Sequence, residues 1–236
     1  MRQLLIYYLK IKKTATIYIM LIPTVLTVAL FSLLAIKTNQ EDFQIYRVTS
    51  LQFFYQYIYP LIITLLVCLN FRIERKNNAF QNTLIYFKNL RTYYLSRLFI
   101  FIVVSWLLIL LSFVTITVMY ITFNDIDNIL TGVYFVKILL VLITSLPIIC
   151  FVYSLNHIFN GIVLPITISV MLAFGNAFVG VVGKFLSDLY FYSYMIFSLY
   201  EGYNNILLIA MSLLFSLLFI TLGYLLLEKN LNYGRL

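Results

Sequence analysis

Six long apolar segments dominate the pattern of hydrophobic and polar positions along the chain. Each has about 20 residues, the length of a helix that crosses a bilayer, and none alternates apolar and polar residues as a barrel strand does. The sequence therefore predicts an all-α membrane protein with six transmembrane helices in a single domain, residues 1–236. The predicted spans are residues 15–36, 51–71, 98–123, 133–155, 162–182 and 206–227.

Composition agrees with lipid as the solvent of these segments. The 236 residues are 63% hydrophobic and 10% charged, with a mean hydropathy of +1.00, whereas a soluble domain is about 45 to 50% apolar. Cys68 and Cys150 both lie in apolar segments, where a thiol behaves as a small hydrophobe. The cysteines therefore indicate neither a disulfide framework nor a metal site.

The net charge of +8 is best explained by membrane topology. Lys and Arg lie between the spans and form no continuous basic face, which argues against a nucleic-acid partner. Of these residues, 12 fall on one side of the predicted membrane and 4 on the other. Because positive loops stay cytoplasmic, both termini and the loop between the second and third spans are predicted to be cytoplasmic in a multi-pass plasma-membrane protein.

The basic residues before the first span resemble the charged region of a signal peptide. The apolar run that follows is long enough to span, and no small-residue cleavage pattern closes it. We therefore expect a retained first helix, preceded by a short interfacial helix at residues 4–13.

Ionisable residues are sparse within the predicted spans. The only formal charge is Lys137, at the outer end of the fourth span, where its side chain is expected to snorkel to the interface. His157 is predicted to be an interfacial side chain in a short turn at residues 156–161, and a lone histidine makes no metal site. This pattern argues against a proton relay.

Asn176 is the main polar feature of a predicted span, beside Gly175. It is a candidate for a translocation path, although we favour the interpretation that the small residues here permit close helix packing. The Gly183-Lys184 pair does not complete a phosphate-binding loop, because Phe178, five positions before Gly183, replaces the required Gly and Phe185 replaces the required Ser or Thr. Any ATP and magnesium must therefore be bound by another polypeptide, and this chain is expected to hold no cofactor.

The loop between the second and third spans carries an amphipathic pattern. Phe80, Leu84 and Phe87 follow helical spacing, and Lys88 and Arg91 lie near the C-terminal end, where cations suit the helix dipole. Such a helix could dock a partner protein or lie among lipid headgroups, and its periodicity does not decide between them.

The segment between the fifth and sixth spans, residues 184–205, contains seven aromatic residues around two acids. It is too apolar for a free loop, so we predict a partly inserted, re-entrant outer segment. We interpret its aromatic residues as a structural belt at the membrane interface.

Two stretches carry a family resemblance. Residues 74–82 (ERKNNAFQN) and 94–98 (YLSRL) are similar to the loop between spans two and three in ABC transporter permeases of the teichoic-acid, O-antigen and drug exporter superfamily. The predicted order of elements, an interfacial helix, six spans, a basic loop after the second span and outer helices before the last, extends the resemblance to essentially the whole chain. Asn78 and Ala79 depart from it, because Gly and a small hydroxyl residue are common there. Within the superfamily the chain is most similar to lantibiotic-immunity permeases of Gram-positive bacteria.

The resemblance implies a non-enzymatic permease subunit that expels a lantibiotic or similar peptide. It implies two copies of a cytoplasmic ABC ATPase as partners, and a second permease subunit in a heterodimer or, alternatively, a homodimer. The coupling site to the ATPase would comprise Glu74, Phe80, Leu84, Phe87, Lys88 and Arg91.

Two other functions stay open from the sequence. The first is a permease for another cargo, such as a cytolytic peptide, a drug or a lipid-linked glycan. The second is an intramembrane processing enzyme, which is less favoured because the sequence lacks paired intramembrane acids and a His–Cys pair.

Overall fold

The computed structural model describes residues 16–37, 42–76, 89–123, 132–159, 161–179, 181 and 183–232. Most of these residues are helical. No β-strand occurs in these ranges, and the predicted all-α class is confirmed. The helices are α1 (Thr16–Lys37), α2 (Phe43–Phe53), α3 (Tyr59–Lys76), α4 (Leu90–Phe123), α5 (Gly132–Thr144), α6 (Leu146–Ile158), α7 (Val163–Gly175), α8 (Lys184–Leu189), α9 (Tyr194–Phe197) and α10 (Asn205–Asn232).

Five stretches in the described ranges are long and apolar enough to cross a membrane. They correspond to all the predicted spans except the fifth, and the six-span topology as a whole stays a prediction. The apolar helix at the fifth position, Val163–Phe178, is about 24 Å long at 1.5 Å per residue, less than the hydrocarbon thickness of about 30 Å. The five candidate spans are Met20–Lys37, Phe43–Ile73, Leu90–Phe123, Gly132–Ile158 and Asn205–Asn230.

The second candidate span is one long helix with a wide turn in its middle. A π-helical turn, Phe54–Ile58, joins α2 to α3, and the Tyr59 amide donates to the Phe54 carbonyl five residues earlier. Pro60 follows directly. Proline has no N–H and its ring crowds the carbonyl four residues before it, so the wider turn accommodates the residue that an ordinary helix would not.

Tyrosine hydroxyls fix α2 and α3 against α4. Tyr55 shares a hydrogen bond of 2.7 Å with Ser112, and Tyr59 pairs with Ser105 one helical turn further on. All four side chains are fully buried. Because no water is available in lipid, each hydroxyl needs a protein partner, and these pairs set the antiparallel register of the two helices.

The fourth candidate span is interrupted where α5 ends and α6 begins. Pro147 lies in the first turn of α6 and cannot donate a helix hydrogen bond. Nearby, the Leu142 carbonyl accepts from the Trp106 indole at 3.1 Å and from the Ser145 hydroxyl at 2.7 Å. These two side chains donate hydrogen bonds to a backbone carbonyl at the interruption. Helices α5 and α6 together form one candidate span.

Helix α10 packs closely along α6. A Cβ atom at Gly223 would collide with the Tyr94 hydroxyl and lie 2.9 Å from the Cβ of Ser154. Glycine therefore permits the approach of α10 to both neighbouring helices.

The segment before α10 folds inward in short helical pieces, namely α8, a 3₁₀ turn (Phe191–Ser193) and α9. Tyr192, Tyr194 and Met195 are fully buried, so part of the predicted aromatic belt packs against the bundle. The re-entrant insertion of this segment into a membrane stays a prediction.

The Tyr55–Ser112 pair supplies a stability test. We expect Tyr55→Phe and Ser112→Ala each to lower the free energy of unfolding, with the double variant less destabilised than the sum by about 1 kcal/mol. The measurement is chemical unfolding of the protein in detergent micelles. Thr167→Ala is the control, because that exposed hydroxyl bonds only to its own helix at Val163. Strictly additive effects would contradict the pairing.

Candidate functional site

The structure describes both ends of the predicted coupling loop but not its centre. Glu74 lies in the last turn of α3, and Arg91 is exposed in the first turn of α4. The remaining predicted coupling residues lie outside the described ranges, so their helix stays a prediction. These residues are Phe80, Leu84, Phe87 and Lys88.

The loop begins and ends at what we call the basic end of the bundle: the C-terminal turns of α3, α6 and α10 with the first turns of α4. Three arginines, Arg72, Arg75 and Arg97, lie here. Helix α4 is about 51 Å long at 1.5 Å per residue, so it exceeds the hydrocarbon thickness by several turns. This excess length is available to carry part of the basic end beyond the hydrocarbon.

Side chains from two other helices satisfy the carbonyls at the C-terminal end of α6. Arg75 of α3 donates to the Asn156 carbonyl at 2.6 Å and to the Phe159 carbonyl at 3.0 Å. Asn230 of α10 donates to the His157 carbonyl at 2.7 Å. The last carbonyls of a helix have no intrahelical partner and carry its negative partial charge, so a guanidinium is well suited to this position.

Arg97 is buried beside the same contact. Its guanidinium carbon lies 3.6 Å from the centre of the Phe71 ring, and its Nη1 donates to the Tyr93 hydroxyl at 3.0 Å. The side chain is only 2% exposed. A cation over an aromatic face is stabilised by the ring quadrupole, more strongly when water is excluded. This contact joins the start of α4 to the end of α3.

His157 is enclosed by aromatic rings. Its ring centre is 4.9 Å from those of Phe71 and Tyr153 and 5.3 Å from that of Tyr94. Its Nε2 atom has no hydrogen-bond partner among the described residues. The turn predicted to contain His157 is wrong at this residue, because α6 continues through Ile158, and the side chain is only 1% exposed within the bundle.

The basic end concentrates positive charge. Burial, and after it the positive charge of Arg97, lowers the pKa of Arg75 from its ordinary value. A lowered arginine pKa still leaves the group charged near neutral pH. The carbonyls of Asn156 and Phe159 therefore bind a cation that the positive charge of Arg97 repels.

Two more cations are buried at the opposite end of the bundle. Lys137 of α5 donates to the Tyr200 carbonyl at 2.6 Å, and Arg47 of α2 donates to the Leu199 carbonyl at 3.5 Å. Their exposed fractions are 5% and 1%. Both carbonyls follow α9, so these cations hold the segment between α7 and α10 against the bundle.

The predicted snorkelling of Lys137 is therefore wrong, because the Tyr200 carbonyl offers it a buried partner. Arg47, predicted to lie in a loop, is in a helix because α2 begins at Phe43, well before the predicted span. Glu201 attracts both cations. With its amide nitrogen turned toward Glu201, Gln44 donates to the two carboxylate oxygens at 2.9 and 3.2 Å.

Asn176 helps seat the same segment. The Asn176 amide donates to the Tyr192 carbonyl at 3.2 Å, and the Tyr190 hydroxyl donates to the Leu172 carbonyl. Gly175 leaves the space for that hydroxyl, since a Cβ atom there would collide with it. A role for Asn176 in a translocation path stays a prediction.

Tyr93 and Tyr153 were not singled out from the sequence, although their spacing from Arg97 and His157 offered a signal. Tyr93 and Arg97 are four residues apart, as are Tyr153 and His157, so each pair lies on one helix face. Asn230 had no such signal. Among the described residues, no group of three or more His, Cys, Asp or Glu side chains could hold a metal ion.

Loss of the Lys137 contact should loosen the outer segment. We expect Lys137→Met to raise the labelling rate of a cysteine placed at the buried Ser198 about ten-fold, because a charged hydrogen bond contributes about 1.5 to 3 kcal/mol. The measurement is labelling of the protein in proteoliposomes with a membrane-impermeant maleimide. Lys37→Met is the matched control, since Lys37 is exposed at the same end. Equal labelling rates in both variants would contradict the contact's role.

A comparison with protein families gives one match for the chain. The family described as ABC-2 family transporter protein matches residues 5–176, a range that includes Arg72, Arg75, Arg97 and the predicted coupling loop. No curated protein and no solved structure matches the chain. Because the family match covers well over half of the 236 residues, the chain belongs to the ABC-2 family of transporter proteins.

Proposed function

We propose that this chain, a permease subunit of an ABC exporter, expels a lantibiotic or a similar cationic antimicrobial peptide from the membrane of a Gram-positive bacterium. The activity would protect a cell from the peptide that it makes. Family membership supports transport with an ATPase partner. The proposed cargo is supported by the likeness of residues 74–82 to lantibiotic-immunity permeases.

The contacts of Arg75 carry the mechanical part of the proposal. Arg75 is the second-last residue of α3, directly before the segment that we predict to dock the ATPase, and it is bonded to two carbonyls at the end of α6. Charge-assisted hydrogen bonds are short and strong. Movement of the docking segment is therefore transmitted to α6, and from the His157 carbonyl through Asn230 to α10.

The proposed assembly contains two copies of a cytoplasmic ATPase and a second permease subunit. The predicted helix with Phe80, Leu84 and Phe87 receives the ATPase, with Glu74, Lys88 and Arg91 flanking it. We propose a heterodimer of permeases and keep the homodimer as the alternative. ATP and magnesium bind to the partner, and both termini of this chain face the cytoplasm.

Carbonyl anchoring by Arg75 can be tested by uncoupling. We expect Arg75→Gln to reduce transport by the reconstituted complex about ten-fold while ATP hydrolysis continues, because a neutral amide cannot replace the two charged hydrogen bonds. Transport and phosphate release are measured in the same proteoliposomes. Lys229→Gln removes an exposed cation from the same end and serves as the control. Unchanged transport in Arg75→Gln would refute the linkage.

The cargo can be tested in cells. Expression of the chain with its ATPase in a sensitive Gram-positive host should raise the inhibitory concentration of a lantibiotic several-fold, because the complex removes peptide from the membrane. Complexes carrying Phe80→Glu and Leu84→Glu should give no protection. Protection against an unrelated drug or a cytolytic peptide, with none against lantibiotics, would support the other exporter function instead.

A further inference from the structure

A cavity of about 430 Å³ opens at the basic end, next to the contact between Arg75 and the Asn156 carbonyl. It lies between the end of α3, the end of α6 and the start of α7. Its polar lining comes from Arg72, Arg75 and Asn156, while Cys68, Phe71 and Ile162 supply apolar walls. The cavity therefore combines positive charge with an apolar interior.

The two arginines of this cavity have no ion-pair partner among the carboxylates whose side chains the structure describes. Arg72 is exposed, and neither it nor Arg75 forms an ion pair with a described carboxylate. Arg75 uses two of its N–H groups on backbone carbonyls, and a guanidinium has five. Two guanidinium groups at one cavity therefore favour an anionic ligand with several acceptor oxygens, such as a phosphate group.

The surroundings of the cavity distinguish a lipid from a free ion. Arg72 precedes the end of the candidate span Phe43–Ile73 by one residue, so the cavity lies at the boundary of the hydrocarbon. The three helices that border the cavity also carry exposed apolar side chains near these ends: Ile73 is 42% exposed, Ile158 42% and Val163 74%. A free phosphate would gain nothing from this surface, whereas acyl chains would cover it.

We propose that the cavity binds the phosphate headgroup of an anionic phospholipid, with Arg72 and Arg75 on the phosphate and the acyl chains along the exposed face of α7. Basic pockets between transmembrane helices are suited to such headgroups. The lipid would contact Arg75 and so lie against the same residue that bonds to the end of α6. This inference does not depend on the identity of the cargo.

The test is native mass spectrometry of the full chain released from nanodiscs that contain equimolar phosphatidylglycerol and phosphatidylcholine. We expect wild-type protein to retain phosphatidylglycerol in excess, and Arg72→Gln to reduce that excess about five-fold, the effect of one basic group near a lipid phosphate. Arg72→Lys should keep most of the excess because it keeps the charge. Lys229→Gln, which removes a cation outside the cavity, should match wild type.

Three results would overturn the proposal. The first is an equal phosphatidylglycerol excess in Arg72→Gln and wild type. The second is an equal loss in Lys229→Gln, which would indicate general charge attraction. The third is displacement of the retained lipid by inorganic phosphate at the lipid's concentration, which would indicate a free-anion site. Thermal unfolding of each variant, measured beside the mass spectra, verifies that Arg72→Gln is folded.

Discussion

The structure depends on hydrogen bonds from cations to the backbone carbonyls of other segments, where water is scarce. The C-terminal end of α6 shows how this is done, because Arg75 and Asn230 come from two other helices to bond carbonyls that α6 cannot satisfy itself. The same solution recurs at the opposite end, where Lys137 and Arg47 bond carbonyls beyond α9. Cations that would be costly in lipid thus become the contacts that hold separate helices together.

Both ends of the bundle use hydrogen bonds from cations to backbone carbonyls, but these bonds hold different segments. At the basic end, the contacts join the stem of the predicted ATPase-docking loop to α6 and α10. At the opposite end, they hold the segment between α7 and α10, which Asn176 and Gly175 also support. An exporter needs both parts: one that receives movement from the ATPase, and one that can open toward the outside when the bundle shifts.

The sequence predicts the features that depend on composition and length. Helical class, five of the spans and the basic character of one end follow from apolar runs and the placement of Lys and Arg. The orientation of single side chains does not follow, because a rotation of 100° per residue about a helix axis turns a lipid-facing position into a buried one. His157 and Lys137 were misplaced for this reason, and Arg47 because α2 begins earlier than the apolar run.

The candidate site was predictable in part. The likeness of residues 74–82 to ABC permeases predicted the family, which the family match shows, while the coupling role of this loop stays a prediction. The carbonyl partners of Arg75 could not be predicted, since they depend on how α3 and α6 pack and lie more than 80 residues away in sequence. The end of α7 at Gly175 could not be predicted, because apolar residues continue past Asn176 in the sequence.

We propose that the energy for transport enters this permease from a partner ATPase. The most direct measurement compares cargo movement in proteoliposomes that contain the complex and ATP with movement in vesicles that contain the chain alone under a proton or sodium gradient. We expect transport in the first case and none in the second. Gradient-driven transport by the chain without an ATPase would contradict it.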